Sequence, residues 1–255
     1  ARSVDELLNI ANRAGTPVQN IVAADAAGHI GWSLMGQVPV RGDYDSTVPS
    51  SWRASGSGWV GWREPDEYPR VIDPPNARLW TANTRTIDAQ TWFAFLGEGR
   101  YDLGARGAQI RDALLTGSSF TPQDMAKLQI DDRALFLTRW RDLLLEVFGT
   151  DAAVQDEQHR HARELVQSWS GRAAAEDPGY RIVRAFRNQV RADVFESLIA
   201  GARAQAPDAQ FTPSPQFEGP LWALVTERPM HLLDPRYESW PAALQGSLET
   251  VLADL

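Results

Sequence analysis

The sequence predicts an α+β chain, mostly helical, and three observations carry that expectation. Residues Gln19 to Trp32 read as a strand, a tight turn and a returning strand. Residues 39–77 turn to Gly, Pro, Ser, Asp and Trp with little periodicity, the mark of a long irregular excursion. From Ala105 almost to Leu255, apolar residues recur at helical spacing. The expected organisation is a first part, residues 1–104, holding a few strands and a Trp-rich loop, followed by a helical region, residues 105–255.

The elements follow in order. Ser3 to about Ala14 reads as an amphipathic helix, with Ser3 as N-cap, Glu6 three residues later, and Gly15-Thr16-Pro17 as its end. The chain is thus expected to begin inside structure, without a leader. Ile21–Ala24 and Ile30–Met35 are rich in β-branched and small residues, and Asp25-Ala26-Ala27-Gly28 between them has hairpin-turn chemistry. Trp52, Trp59 and Trp62 predict that the excursion is ordered and packed on something. Arg78 to Ala82 returns to strand, and Trp80-Thr81-Ala82-Asn83-Thr84 ends polar where an apolar edge is expected.

Ala105–Leu115 is then a helix, and Thr121-Pro122-Gln123-Asp124 carries a cap, an N1 proline and an acid at the third helical position. One apolar face runs through Leu135, Leu137, Trp140, Leu143, Leu144 and Val147. A second uses Ala162, Leu165, Val166 and Trp169, and Tyr180 to Ile199 supplies a third. Gly201 to Pro220, with four prolines, reads as a loop or linker before a last helix near Trp240 to Leu252.

Composition narrows the function classes. With 255 residues and 43% hydrophobic content the chain can build a substantial core. A net charge of −8 argues against nucleic acid as a partner, since no phosphate-neutralising excess exists. There is no cysteine, which excludes disulfides, thiolate metal sites and a cysteine nucleophile. Lys127 is the only lysine, a bias given no functional weight. Apolar runs such as Ala134-Leu135-Phe136-Leu137 fall far short of the roughly 20 residues that span a bilayer, so no membrane span is expected.

Several motifs fail on inspection. Gly97-Glu98-Gly99-Arg100-Tyr101-Asp102 lacks the third glycine of a dinucleotide fingerprint. His159 and His161, two apart on a helix, point to different faces and read as a charged surface, not a metal pair. His29 and His231 read as structural. Gly56-Ser57-Gly58 has no strand before it and no histidine near it, so a serine hydrolase triad within this chain is not expected. Asp43 and Asp45 have calcium-binding oxygens, but Asx-turns in a polar loop are the stronger reading.

Asn83 remains. At a strand end after small Ala82, it is placed either to cap the strand or to project its amide into a cleft. In a cleft its NH₂ is a neutral donor of the kind a developing oxyanion requires. Arg106 opens the next helix, where a cation opposes the dipole unless a carboxylate or polar group answers it.

Taken in order, Pro17-Val18-Gln19-Asn20, Ala24-Asp25-Ala26-Ala27-Gly28-His29-Ile30-Gly31, Trp80-Thr81-Ala82-Asn83 and Gly104-Ala105-Arg106-Gly107-Ala108-Gln109-Ile110 resemble the β chain of the penicillin acylase (penicillin amidase) family. Leu128-Gln129-Ile130-Asp131 and Trp169-Ser170-Gly171 are similar to its helical region, so the resemblance covers most of the chain. It implies that the strands belong to a four-layer αββα core of an N-terminal-nucleophile hydrolase. In that family a precursor is cleaved so that a serine becomes the first residue of the β chain, with its own α-amino group as base.

The resemblance makes Asn83 and Arg106 the candidate catalytic residues: Asn83 matches the oxyanion-hole asparagine, and Arg106 an arginine that orients it. It implies an acyl amide substrate, of acylated β-lactam or acyl-homoserine lactone type, and a periplasmic or secreted location. No cofactor is expected, with structural calcium left open for the complete enzyme; the family's acidic ligand position falls at Thr91, with Asp88 nearby. Ala1 carries no nucleophilic atom, so the expectation is an interior piece of a precursor, partnered by the rest of it and inactive alone. Two alternatives stand beside this: a binding module built on Trp52, Trp59 and Trp62, and a helical interaction domain in which Asn83 and Arg106 do not meet.

Overall fold

Ser3 sits in extended backbone and its side chain accepts from the Glu6 N–H, so the first helix, α1 (Val4–Asn12), starts at the residue whose chemistry caps it. The Glu6 carboxylate reaches back to the N–H of Arg2 at 2.6 Å. These coordinates are a computed structural model that describes residues 1–45, 48–49, 51–53, 56–86, 95–96, 101–149 and 157–254. The chain divides into two units, Ala1–Phe120 and Thr121–Leu255.

In the first unit, β1 (Gln19–Ala24) and β2 (Ile30–Met35) pair antiparallel from Gln19 opposite Met35 to Ala24 opposite Ile30. The turn between them is closed by Asp25, whose Oδ1 accepts from the N–H groups of Ala27 and His29. Gly28, at φ 93°, supplies the left-handed residue this turn needs. Val4 and Leu8 of α1 bury against Ala23 of the hairpin, and a second cluster gathers Trp32, Leu34, Val38, Tyr68 and Phe95. Burial of that apolar surface, at roughly 25 cal/mol per Å², is what fixes the hairpin's register.

The stretch expected to be irregular is more ordered than its composition suggests. It contains β3 (Pro39–Arg41) and β4 (Trp59–Trp62), which pair antiparallel with a bulge between Val40 and Arg41. It also contains β5 (Val71–Ile72), which joins the sheet in the order β1-β2-β5. Its short runs of Val, Ile and Trp suit a pleated strand, while the Gly and Pro between them hide the pattern. The three tryptophans pack on one another, with ring centroids 6.0 Å apart for Trp52–Trp59 and 5.6 Å for Trp59–Trp62, and all three are exposed. The packing expected of these tryptophans is thus found on one another, in an exposed aromatic ladder.

The strand expected over Arg78–Thr84 does not form: Leu79–Thr81 carries no ladder and Ala82–Thr84 is a bend. Strand geometry is broken by Asn83 at φ 60°, and the carbonyls that a ladder would use have other donors. The helix after it, α2 (Ala105–Thr116), is the last described helix of this unit.

The second unit is helical. Thr121 and Asp124 form a reciprocal capping box at the start of α3 (Pro122–Gln129), as the sequence indicates. Around one core pack α4 (Thr138–Phe148), α5 (Glu157–Gln167), α6 (Pro178–Gln205), α7 (Glu218–Glu227) and α8 (Trp240–Ala253). Trp140, Leu144, Val166, Val183, Phe186, Leu221 and Leu248 are completely buried there. Leu135, assigned to the apolar face, is instead exposed in a 3-10 turn before α4. The expected loop from Gly201 to Pro220 is shorter than foreseen: α6 runs on through Gln205, and α7 starts at Glu218. Pro220 is tolerated because it lies in the first turn of α7, where backbone N–H groups have no helical partner.

Among the described residues Glu218, only 1% exposed, is the one buried acid. Its Oε1 accepts from Arg139 and from the Trp140 indole, both at 2.8 Å, and its Oε2 accepts from Arg187 Nε at 3.0 Å. The charge is tolerated because both oxygens are filled. Among the described residues no helix is long and apolar enough to cross a membrane.

Candidate active site

Helix α2 follows directly on Asp102-Leu103-Gly104, which puts Arg106 in its first turn. The free N–H groups there already concentrate positive charge, so a cation must be answered. Three acceptors answer it: Arg106 Nη2 lies 2.6 Å from Asp102 Oδ2, 3.0 Å from Asn83 Oδ1 and 3.1 Å from the Ala82 carbonyl. The two residues singled out from sequence are therefore in direct contact. A helical interaction domain would lack that contact.

Asn83 is held by its backbone as well. The Asp102 N–H donates to the Asn83 carbonyl at 2.9 Å, and the left-handed φ of 60° is one that asparagine tolerates better than most residues. Gly107, one residue beyond Arg106, lets α2 press on this bend, because a Cβ there would stand 3.2 Å from Thr84 Oγ1. With Oδ1 held by the guanidinium, Nδ2 is the donor the amide has left to offer. Among the described residues no acceptor takes Nδ2.

Asn83 lines a cleft of about 360 Å³ together with Gln19, Asn20, Arg41, Leu96 and Tyr101. Arg41 is already engaged, donating to the Phe95 carbonyl at 2.9 Å and to the Leu96 carbonyl at 2.8 Å. Burial pushes the Tyr101 hydroxyl above its ordinary pKa, so it stays neutral. Beside Arg41, the polar side chains of the cleft are neutral, and a neutral amide donor such as that of Asn83 suits an oxygen that gains charge during a reaction. A larger cleft of about 500 Å³, lined by Trp32, Val71, Leu79 and Trp80 among others, includes neither Asn83 nor Arg106.

The remaining candidates stay apart from this cleft. His29 Nδ1 is paired with Asp73 Oδ2 at 2.7 Å on the hairpin tip, and buried His159 meets Glu249 at 2.9 Å while His161 is exposed. Among the described residues no three His, Asp or Glu side chains are grouped as a metal set, Asp43 and Asp45 included. Thr91, Asp88 and the Gly97–Arg100 motif lie outside the described residues. Sequence reasoning missed Asp102, although its i, i+4 spacing to Arg106 was a usable signal. It also missed Asn20, which lines the same cleft as Asn83.

The penicillin amidase family model matches residues 1–255, and the chain belongs to that family. Penicillin acylase 2 proenzyme of a Pseudomonas species (strain SE83) is 28% identical over 230 residues, which cover 88% of this chain and 28% of that protein. Acyl-homoserine lactone acylase QuiP of Pseudomonas aeruginosa is 22% identical over 204 residues, covering 76% of this chain and 24% of its own length. The chain therefore spans about a quarter of these relatives. Thermostable penicillin G acylase from Alcaligenes faecalis shares the fold with a TM-score of 0.62 at 20% identity, over all of this chain and 48% of that one.

Proposed function

We propose that this chain is part of an N-terminal-nucleophile amide hydrolase that cleaves an acyl amide to a carboxylate and an amine. The acyl donor is of acylated β-lactam or acyl-homoserine lactone type, as the names of its relatives suggest. In that reaction a serine Oγ attacks the acyl carbonyl and its proton passes to the serine's own α-amine. The C–N bond then breaks, the amine departs with that proton, and water cleaves the acyl ester to carboxylate and serine. Asn83 Nδ2 donates to the carbonyl oxygen as it becomes an oxyanion, and Arg106 positions Asn83 by holding Oδ1. The nucleophile comes from the rest of a precursor, in a periplasmic or secreted enzyme.

The observation that carries this reading is the 3.0 Å contact from Arg106 Nη2 to Asn83 Oδ1, which aims the amide donor. The complete precursor should hydrolyse a chromogenic phenylacetyl or fatty-acyl amide, and residues 1–255 alone should not. Turnover by the purified chain, abolished by Asn83→Ala, would contradict the assignment of the nucleophile to another stretch of polypeptide.

A second reading rests on a different observation: Trp52, Trp59 and Trp62 form an exposed aromatic ladder suited to stacking on a sugar or apolar ligand. It requires saturable quenching of tryptophan fluorescence by such a ligand, unchanged by Asn83→Ala or Arg106→Ala.

A further inference from the structure

The bend that carries Asn83 is tied on one side through Arg106 of α2 and Asp102 just before that helix. Its other side runs through Thr84 and Arg85 to Thr86, and there a second tie is present. Asn20 Oδ1 accepts from the Trp32 indole N–H at 2.9 Å and, more loosely, from the Thr86 hydroxyl at 3.3 Å. Trp32 is buried, 4% exposed, in the cluster with Leu34, Val38 and Tyr68. Asn20 stands in β1 opposite Leu34 of β2, so the ladder fixes its backbone and the indole fixes its side chain. The acceptor offered to Thr86 is thus anchored on a buried cluster of this unit.

From this geometry we infer that Asn20 is a positioning residue for the reaction proposed above. It acts through Thr86, three residues beyond Asn83, and rests on the reading of Asn83 as the oxyanion donor. The bend forms no strand ladder among the described residues, and Asn83 itself is exposed with a left-handed φ. A donor on such a segment reaches a developing oxyanion only if both flanks are held, because a displacement of about 1 Å is costly to rate. Arg106 fixes which way the amide faces; the Asn20–Thr86 contact fixes how far the bend stands from the hairpin side of the cleft. Asn20 and Thr86 both line that cleft with Asn83.

The test uses the complete precursor enzyme, with competent active sites counted by titration so that folding or processing losses are removed from kcat. Thr86→Val and Asn20→Ala are each expected to lower kcat about tenfold with KM nearly unchanged. The double variant should be no worse than Asn20→Ala alone, since that change already removes the contact that Thr86→Val breaks. Thr86→Ser, which keeps the hydroxyl, should recover most of the rate. An unchanged kcat in Thr86→Val, losses that multiply in the double variant, or a Thr86→Ser enzyme as slow as Thr86→Val each overturn the inference. If Asn20→Ala does not fold, the Thr86→Val and Thr86→Ser pair decides alone. Asn83→Ala separates the two levels: full activity there refutes the oxyanion reading itself, whereas loss there with intact Thr86→Val activity refutes only the role of Asn20.

Discussion

Arg106 donates from Nη2 to Asn83 Oδ1 at 3.0 Å across 23 residues of sequence, while the same nitrogen meets Asp102 Oδ2 at 2.6 Å. One guanidinium thereby joins the start of a helix to a bend that would otherwise be set by local preference alone. Both Arg106 and Asp102 are more than half exposed, so their attraction by itself contributes little to stability. The value of the arrangement is orientation of the amide.

Arg106→Lys is therefore expected to behave poorly despite keeping the charge. The contacts to Ala82, Asn83 and Asp102 all come from Nη2 at the tip of the long, rigid guanidinium, and the shorter, flexible lysine stem does not hold its ammonium at that point. In the complete enzyme kcat should fall roughly 10- to 100-fold, with KM changed far less. Steady-state kinetics on a single chromogenic amide checks this, and wild-type kcat in the lysine variant counts against the positioning role.

In the helical unit the prediction concerns stability. Glu218→Ala leaves Arg139, Arg187 and the Trp140 indole without their shared acceptor, and breaking a buried pair in this way costs about 3–5 kcal/mol. Glu218→Gln should cost less, since it keeps one oxygen acceptor and the side-chain volume. Urea denaturation followed by circular dichroism gives both values.

Thr121→Ala removes one half of the capping box at the start of α3, where the Asp124 N–H meets Thr121 Oγ1 at 3.2 Å and the Thr121 N–H meets Asp124 Oδ2 at 3.0 Å. The expected loss is about 1 kcal/mol. Hydrogen exchange should show it as faster exchange at the N–H groups of Asp124 and Met125, with the buried helices unaffected.

The hairpin tip should be sensitive to pH. The hydrogen bond to Asp73, and then its charge, raise the His29 pKa above 6.5, while the Ile30 N–H and then His29 lower that of Asp73 below 3.8. A raised histidine contributes stability fully below its unfolded value, and the contribution is lost as pH rises through the raised one. A lowered aspartate contributes above its unfolded value and loses the contribution as pH falls through the lowered one. The tip is therefore most stable between the ordinary values of 3.8 and 6.5. An NMR titration of His29 should show its pKa dropping toward the ordinary value in Asp73→Asn; an unchanged midpoint refutes the coupling.

What could be read from sequence was local. Ser3, Asp25 with Gly28, and Thr121 with Asp124 each solve a hydrogen-bonding problem within four residues, so their elements are legible in the sequence. The short strands around Val40, Val60 and Val71 were hidden because two to four residues among Gly and Pro carry too little periodicity. Arg78–Thr84 was misread for the opposite reason: its residues suit a strand, but Arg106 and Asp102, more than 15 residues away, claim its carbonyls. Glu218 with Arg139 and Arg187 was invisible in the same way, since no spacing rule joins a helix to partners 79 and 31 residues distant. The candidate site was half legible: Asn83 and Arg106 emerged from residue chemistry and family resemblance, whereas the contact of Asp102 with Arg106 and the place of Asn20 in the cleft needed the fold.

The most direct test of the central claim is kcat of the complete enzyme carrying Asn83→Ala, measured against titrated active sites. Loss of one oxyanion donor predicts a fall of roughly 10²–10³ with KM within a few-fold of wild type. A kcat within a few-fold of wild type would show that Asn83 does not serve the oxyanion, and would contradict the account.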